Sequence, residues 1–226
     1  MISLALAAVF FAGIHLGVAG TRFRDRCVAA LGVRGYQAAF SVASIVGLVW
    51  LVIAYNRAPY IATWGLLEWW KPVAIVLMLP AFLLVVIGLT TPNPTSLAQE
   101  ARLAAPASGI VRVTRHPFLT GVGLWALVHL VGNGDWASLV FFGCWTVVAL
   151  WGTVSIDAKR RRLAGPELWD RFAAQTSIMP FAAIAAGRNQ FAMGEIAVWQ
   201  WLTAIVLYAL ALGGHQSIIG VSPFPV

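Results

Sequence analysis

Apolar residues run through this chain in long blocks, and polar residues are confined to the gaps between them. Six blocks can be drawn, at residues 2–20, 38–55, 72–90, 117–132, 136–156 and 197–213. Most approach the ~20 residues that an α-helix needs to cross the hydrocarbon of a bilayer. The pattern therefore predicts an all-α, polytopic integral membrane bundle of about six transmembrane helices. The fourth block is short and is expected to borrow a turn from residues 109–116. Gly132-Asn133-Gly134-Asp135 reads as a tight turn, which makes the fourth and fifth blocks a helical hairpin. No internal repeat or low-complexity tract interrupts the series, so residues 1–226 read as a single domain.

The first block ends on small residues, Ala19 and Gly20, as a secretory signal would. However, no Lys or Arg precedes it, and Arg22, Arg24 and Arg26 follow it at once. A signal peptide carries its positive charge in front, so the block reads as a retained helix.

Composition sharpens the membrane reading. The chain is 60% hydrophobic and only 10% charged, against roughly 25% charged residues in an ordinary soluble domain. Of its 11 Trp, Trp64, Trp69, Trp70 and Trp136 lie near block ends, where an amphipathic ring suits the membrane interface. The net charge of +7 is loop-bound, so the expected partner is the lipid bilayer and no nucleic acid is expected. Cys27 and Cys144 lie in a basic loop and an apolar block, a placement that suggests neither a disulfide nor a metal knuckle.

The loop charges predict an orientation. Arg22, Arg24, Arg26 and Arg34 follow the first block, and Arg102, Arg112 and Arg115 follow the third. Lys159, Arg160, Arg161, Arg162, Arg171 and Arg188 follow the fifth, and only Arg57 and Lys71 fall on the opposite side. Since cytoplasmic loops carry the excess of Lys and Arg, both termini are expected on the outer face.

Four histidines offer chemistry: His15, His116, His129 and His215. His15 and His129 lie inside apolar blocks, where an ionisable group is costly and faces the bundle interior with a partner. One reading is a neutral imidazole hydrogen-bonded to a helix carbonyl. The other is a pair of imidazoles on separate helices that ligate a haem iron from opposite sides. With ideal helices the two are offset by roughly 10–15 Å in depth, and His116 is somewhat nearer to His15. Small residues beside His15 (Ala8, Ala12, Gly13, Gly17) would let a helix or a flat macrocycle approach.

The most distinctive local run is Arg112-Val113-Thr114-Arg115-His116-Pro117. Pro117 suits the first turn of a helix, which puts Arg112, Arg115 and His116 at a cytoplasmic helix mouth. There they form either an anion site or a positive-inside anchor. The run 157–162, an Asp followed by four basic residues within five positions, reads as a topogenic charge cluster. No Walker loop, nucleophile elbow, zincin motif or paired-cysteine motif is present.

Taken in order, several segments resemble the NnrU family of bacterial membrane proteins over nearly the whole chain. They are His15-Leu16-Gly17, Leu31-Gly32-Val33-Arg34-Gly35-Tyr36, the run Arg112 to Pro117, Leu127-Val128-His129, and Thr176 to Ile184 with Gly187-Arg188. That family includes a 15-cis-zeta-carotene isomerase, a haem b protein of carotenoid biosynthesis, and a bacterial member linked to nitrite and nitric oxide reduction. The resemblance implies a protein of the bacterial inner (cell) membrane, with haem b as cofactor and His15 and His129 as ligands of the haem iron. It also implies a redox-dependent cis-trans isomerase acting on a hydrophobic, carotenoid-like polyene, or a non-enzymatic factor that supports denitrification. A further histidine of the isomerase's fifth span has no counterpart in Trp145-Thr146-Val147-Val148-Ala149-Leu150.

A second, shorter likeness is to isoprenylcysteine and phospholipid methyltransferases, through Arg115 to Gly121, Arg162 to Phe172 and Pro180. In those proteins such residues line a pocket for S-adenosylmethionine. Here Leu119 replaces their usual Tyr, and Arg161 stands near where they carry an acid.

Overall fold

The computed structural model describes residues 1–96 and 99–225; Leu97, Ala98 and Val226, the last residue of the expected outer C-terminus, lie outside it. The described chain is helical, with eight α-helices, one π-helical segment and four short 3₁₀ turns. Five helical stretches are long and apolar enough to cross a membrane, and a sixth, Pro117–Asn133, is shorter. This is the polytopic helical membrane architecture that the apolar blocks predict.

Helix α1 (Ile2–Ala12) continues directly into a π-helical segment, Gly13–Ala19. Helix α2 (Arg22–Asn56) is 35 residues long. At 1.5 Å per residue it would measure about 52 Å, well beyond a hydrocarbon core of about 30 Å. It is divided at Gly32, whose φ of 71° and ψ of 166° leave the helical region, a conformation essentially reserved for glycine. Helices α3 (Lys71–Thr90), α4 (Pro117–Asn133), α5 (Trp136–Ala164) and α8 (Val198–Ile219) supply the other spans, with short helices α6 (Pro166–Gln175) and α7 (Ala182–Ala185) between the last two.

The fourth span does not borrow a turn from the residues before it. Residues Gly109–Arg112 form a separate 3₁₀ turn, and α4 starts at Pro117. The proline ring disfavours helical geometry at His116. The Arg115 amide donates outward to the Ser177 carbonyl (3.0 Å) rather than into a helix.

The chain divides into two compact units. The first comprises Met1–Leu67 and Ala126–Ser155, so it holds α1, α2, the end of α4 and most of α5. Here α1 packs along α2: Trp50 Nε1 donates to Ser3 Oγ (3.0 Å), and Phe10 meets Trp50 at 6.2 Å. Helix α5 runs parallel to α1, with Cys144 Sγ donating to the Ala8 carbonyl (3.5 Å) and Phe11 against Trp145 (5.0 Å). Residues after α2 lie across the α4–α5 turn. The Thr63 and Gly65 amides both donate to the Gly134 carbonyl at 2.9 Å, and Trp64 Nε1 donates to the Val131 carbonyl at 2.8 Å. Gly134, at φ 58°, is required there, since a Cβ would lie 2.2 Å from the Gly65 carbonyl oxygen.

The second unit comprises Glu68–Trp125 and Ile156–Val226. Helix α3 packs against α8, where Tyr208 Oη donates to the Ile75 carbonyl (2.9 Å), and against the start of α4, where Gly121 abuts the Ala81 carbonyl. Two apolar clusters consolidate its loops. Leu84, Ile87, Ile110, Val113 and Ile196 form one; Leu103, Ala107, Val111, Trp169 and Phe172 form the other.

Candidate functional site

His15 sits within the π-helical segment. Its Nδ1 lies 2.8 Å from the Phe11 carbonyl oxygen, one turn back on the same helix. A carbonyl can only accept, so Nδ1 carries the proton and Nε2 keeps its lone pair. This arrangement, one ring nitrogen anchored to a carbonyl and the other presented, is how histidine ligands of metals are oriented. The π-helical turn in which His15 sits is of a kind rare in helices and frequent at functional sites. The ring is framed by Phe11 (centroids 4.2 Å) and by the edge of Phe40 (5.4 Å). Of the small residues near it, Gly13 and Gly17 are two positions away, roughly on the opposite face of the helix. A Cβ at either would meet nothing within 4 Å.

His129, near the end of α4, lies almost parallel to Phe142, with centroids 5.1 Å apart and planes at 23°. Because Phe11 meets Trp145 and Gly20 abuts Ser155, His15 lies level with α5 about four residues past Trp145. His129 and His15 are therefore separated by about 11 Å along α5, within the range expected from the sequence. Among the described residues no group of three or more His, Cys, Asp or Glu could hold a bare metal ion.

The second unit treats its histidine differently. His116 is 2% exposed, and its Nε2 lies 2.7 Å from Asp157 Oδ1. The Arg115 guanidinium donates from Nε (2.9 Å) and Nη2 (2.5 Å) to Asp157 Oδ2, so a single carboxylate holds both. Burial pushes the His116 imidazole below its ordinary pKa, partly offset by its bond to Asp157. With the carboxylate already neutralised by Arg115, a neutral His116 donates its Nε2–H. The backbone is fixed just as firmly. Thr95 Oγ1 (2.7 Å) and Asn93 Nδ2 (3.2 Å) donate to the Arg115 carbonyl, and Thr114 Oγ1 donates to the Ile178 carbonyl (2.8 Å). The Arg115 guanidinium also lies over the Trp169 ring, 5.9 Å from its centroid.

Arg112 is not part of this cluster. It forms a two-pronged pair with Glu195, with Nε to Oε2 and Nη2 to Oε1 both at 2.7 Å, and donates from Nη1 to Asn189 Oδ1. Arg112 and the Gly109 amide hold the Glu195 carboxyl below the usual carboxylate range. The structure thus brings Arg115 and His116 together, turns Arg112 elsewhere, and leaves His15 and His129 in the first unit. Asp157 and Glu195 are the residues that sequence reasoning missed. Asp157 was hidden in a basic run, although its being the one acid there was a signal. His215 donates from Nδ1 to the Val221 carbonyl (2.7 Å), just past the end of α8.

Apolar spans carrying two half-buried imidazoles in one unit, and an ionic cluster built on an Arg-His-Pro run in the other, define a polytopic helical membrane protein. The sequence profile of the NnrU protein family matches residues 3–223. The chain belongs to the NnrU family. It is 24% identical to the chloroplastic 15-cis-zeta-carotene isomerase of Zea mays over 232 aligned residues, covering 94% of this chain and 58% of that protein. It is 26% identical to the chloroplastic 15-cis-zeta-carotene isomerase of Arabidopsis thaliana over 129 residues, covering 55% of this chain and 35% of that protein. The chain therefore spans under two thirds of the length of these curated relatives. No solved structure matches it.

Proposed function

We propose that this protein binds haem b in its first unit through His15 and His129, and acts as a redox-dependent cis-trans isomerase of a hydrophobic, carotenoid-like polyene. The observation that carries the reading is the His15 ring, anchored at Nδ1 by the Phe11 carbonyl so that Nε2 is presented. Family membership and the likeness to two carotene isomerases support the substrate class. Haem b, when bound, supplies a redox-active iron in a low-dielectric setting. The chain's own part is to hold that group. Phe11 fixes the tautomer of His15, Phe40 and Phe142 wall the two imidazoles, and the apolar spans keep water out and admit a lipid-soluble substrate. We further propose a bacterial inner-membrane location with both termini periplasmic, on the distribution of Lys and Arg among the loops.

The test is purification in a mild detergent from cells supplied with a haem precursor. The protein is expected to carry haem b with the sharp α and β bands of low-spin iron on reduction. Colourless, folded protein would return His15 and His129 to packing roles and leave the reading of a non-enzymatic factor for nitrite and nitric oxide reduction. The methyltransferase alternative would use the residues from Arg115 to Gly121, of which Arg115 pairs with Asp157. Bound S-adenosylmethionine in the purified protein would single it out.

A further inference from the structure

The ten residues before the Gly32 break form a helical segment distinct from the membrane span that follows. Gly32 lies outside the helical region of backbone space, and the remaining residues of α2 to Asn56 suffice by themselves to cross about 30 Å of hydrocarbon. Within the segment, Phe23, Cys27, Ala30 and Leu31 recur at the spacing of one helical face. Arg22 and Arg26, four apart, share a different face, roughly 80° or more away from the centre of the apolar one. Phe23 is 53% and Leu31 57% exposed, and Arg22, Arg26, Ala29 and Ala30 are exposed as well. Arg24 is used inward: its guanidinium lies 5.4 Å from the Tyr36 ring centroid and pairs with Asp25 at 3.3 Å.

We propose that the segment from Arg22 to Leu31 is an interfacial docking helix for an anionic lipid surface. Its apolar face dips among the acyl chains just below the headgroups, and Arg22 and Arg26 bind lipid phosphates at its edge. An exposed Phe and Leu beside two unclustered arginines are what such a surface complements: apolar area for the acyl boundary, cations for the headgroups. Arg24, held on Tyr36 and Asp25, ties the segment to the span beyond the break. Gly32 supplies the bend that lets a helix lying in the plane of the membrane join one that crosses it. The proposal holds whether or not the histidines carry haem, and on whichever face of the membrane the loop lies.

The test uses the full chain in lipid nanodiscs, in a Cys27→Ser, Cys144→Ala background carrying one new cysteine labelled with an environment-sensitive fluorophore. Ala30→Cys places the label on the apolar face and Ala29→Cys on the polar side. In discs containing about 30 mol% phosphatidylglycerol, a doxyl lipid spin-labelled near the headgroup should quench position 30 about threefold more than position 29. The contrast should fall by about half or more in pure phosphatidylcholine discs, and likewise in Arg22→Gln, Arg26→Gln protein. Inorganic phosphate added to phosphatidylcholine discs should not restore it. Equal quenching at the two positions would overturn the proposal, as would a contrast indifferent to both lipid charge and the arginines. Restoration by phosphate alone would overturn it in favour of a free-anion site. Low quenching at both positions, with label-to-label proximity, would overturn it in favour of a second copy of the chain.

Discussion

The two units each hold a histidine away from water, and they do so through opposite nitrogens. In the first unit His15 anchors Nδ1 on a backbone carbonyl, an uncharged partner that consumes the ring proton and leaves the lone pair on Nε2. In the second, His116 turns Nε2 onto Asp157, a charged partner shared with Arg115. Nε2 is the atom a metal would take at His15, and at His116 it is already bonded. On the proposed reading the same residue type is a metal ligand in one place and a strut in the other, and the difference lies in which nitrogen the fold engages.

On that contrast the largest structural penalty belongs to the strut. Asp157→Ala strands Arg115 and His116 without their shared carboxylate, and loss of about 3–5 kcal/mol is expected, read as a lowered midpoint in thermal unfolding of the detergent-solubilised protein. Haem content per folded molecule should be unchanged. A loss of haem at constant fold would merge the two regions into one site and break the comparison.

His116→Ala removes one donor and leaves Asp157 with Arg115, so a smaller cost of about 1–3 kcal/mol is expected. Any Soret band should stay in place. Disappearance of the band in this variant alone would make His116, not His129, the second ligand.

The pH dependence follows from the same strut. The folded pKa of His116 is lowered from 6.5 by burial, so below that pH the unfolded chain takes up a proton before the folded one does. Stability is then fully present above about pH 6.5 and is lost as the pH falls through the window beneath it, by at most about 1.4 kcal/mol per pH unit. Unfolding midpoints at successive pH values should show this decline, and His116→Gln should flatten it. The smallest effect is expected at Arg112, whose pair with Glu195 is partly exposed. Arg112→Gln should cost about 1 kcal/mol or less, and the cost should shrink further in high salt.

The spans were readable because hydrocarbon imposes a length and a polarity on the sequence that little else overrides. At two places where the structure departs from the apolar blocks, the helix runs on into sequence that carries several charges. Helix α5 continues through Asp157 to Ala164, and α2 begins at Arg22, ahead of the apolar run. Backbone hydrogen bonding carries a helix into water where hydropathy no longer marks it. The start of α4 at Pro117 was readable from the proline, but the turn expected before it was not formed, because the same proline disfavours helix at His116.

The candidate site was readable residue by residue and not as contacts. His15 stood out as an ionisable group in an apolar run, yet the π-helical turn around it has no periodic signature at that length. Its partner, the Phe11 carbonyl, is backbone and therefore invisible to any reading of side chains. Arg115 and His116 stood out through their place before Pro117. Their partner Asp157 lies 42 and 41 positions away, and a sequence does not display a pairing of that separation. Arg112 shared their run, but its carboxylate, Glu195, is 83 residues distant.

The measurement that bears most directly on the presented-ligand reading is the reduced absorption spectrum of three proteins expressed with haem precursor: the parent, His15→Ala and His116→Ala. The account predicts a low-spin haem b spectrum in the parent and an unaltered one in His116→Ala. In His15→Ala it predicts lost haem or a five-coordinate iron. A His15→Ala protein that folds and keeps the parent spectrum would contradict it, since the Nε2 presented by the Phe11 carbonyl would then ligate nothing.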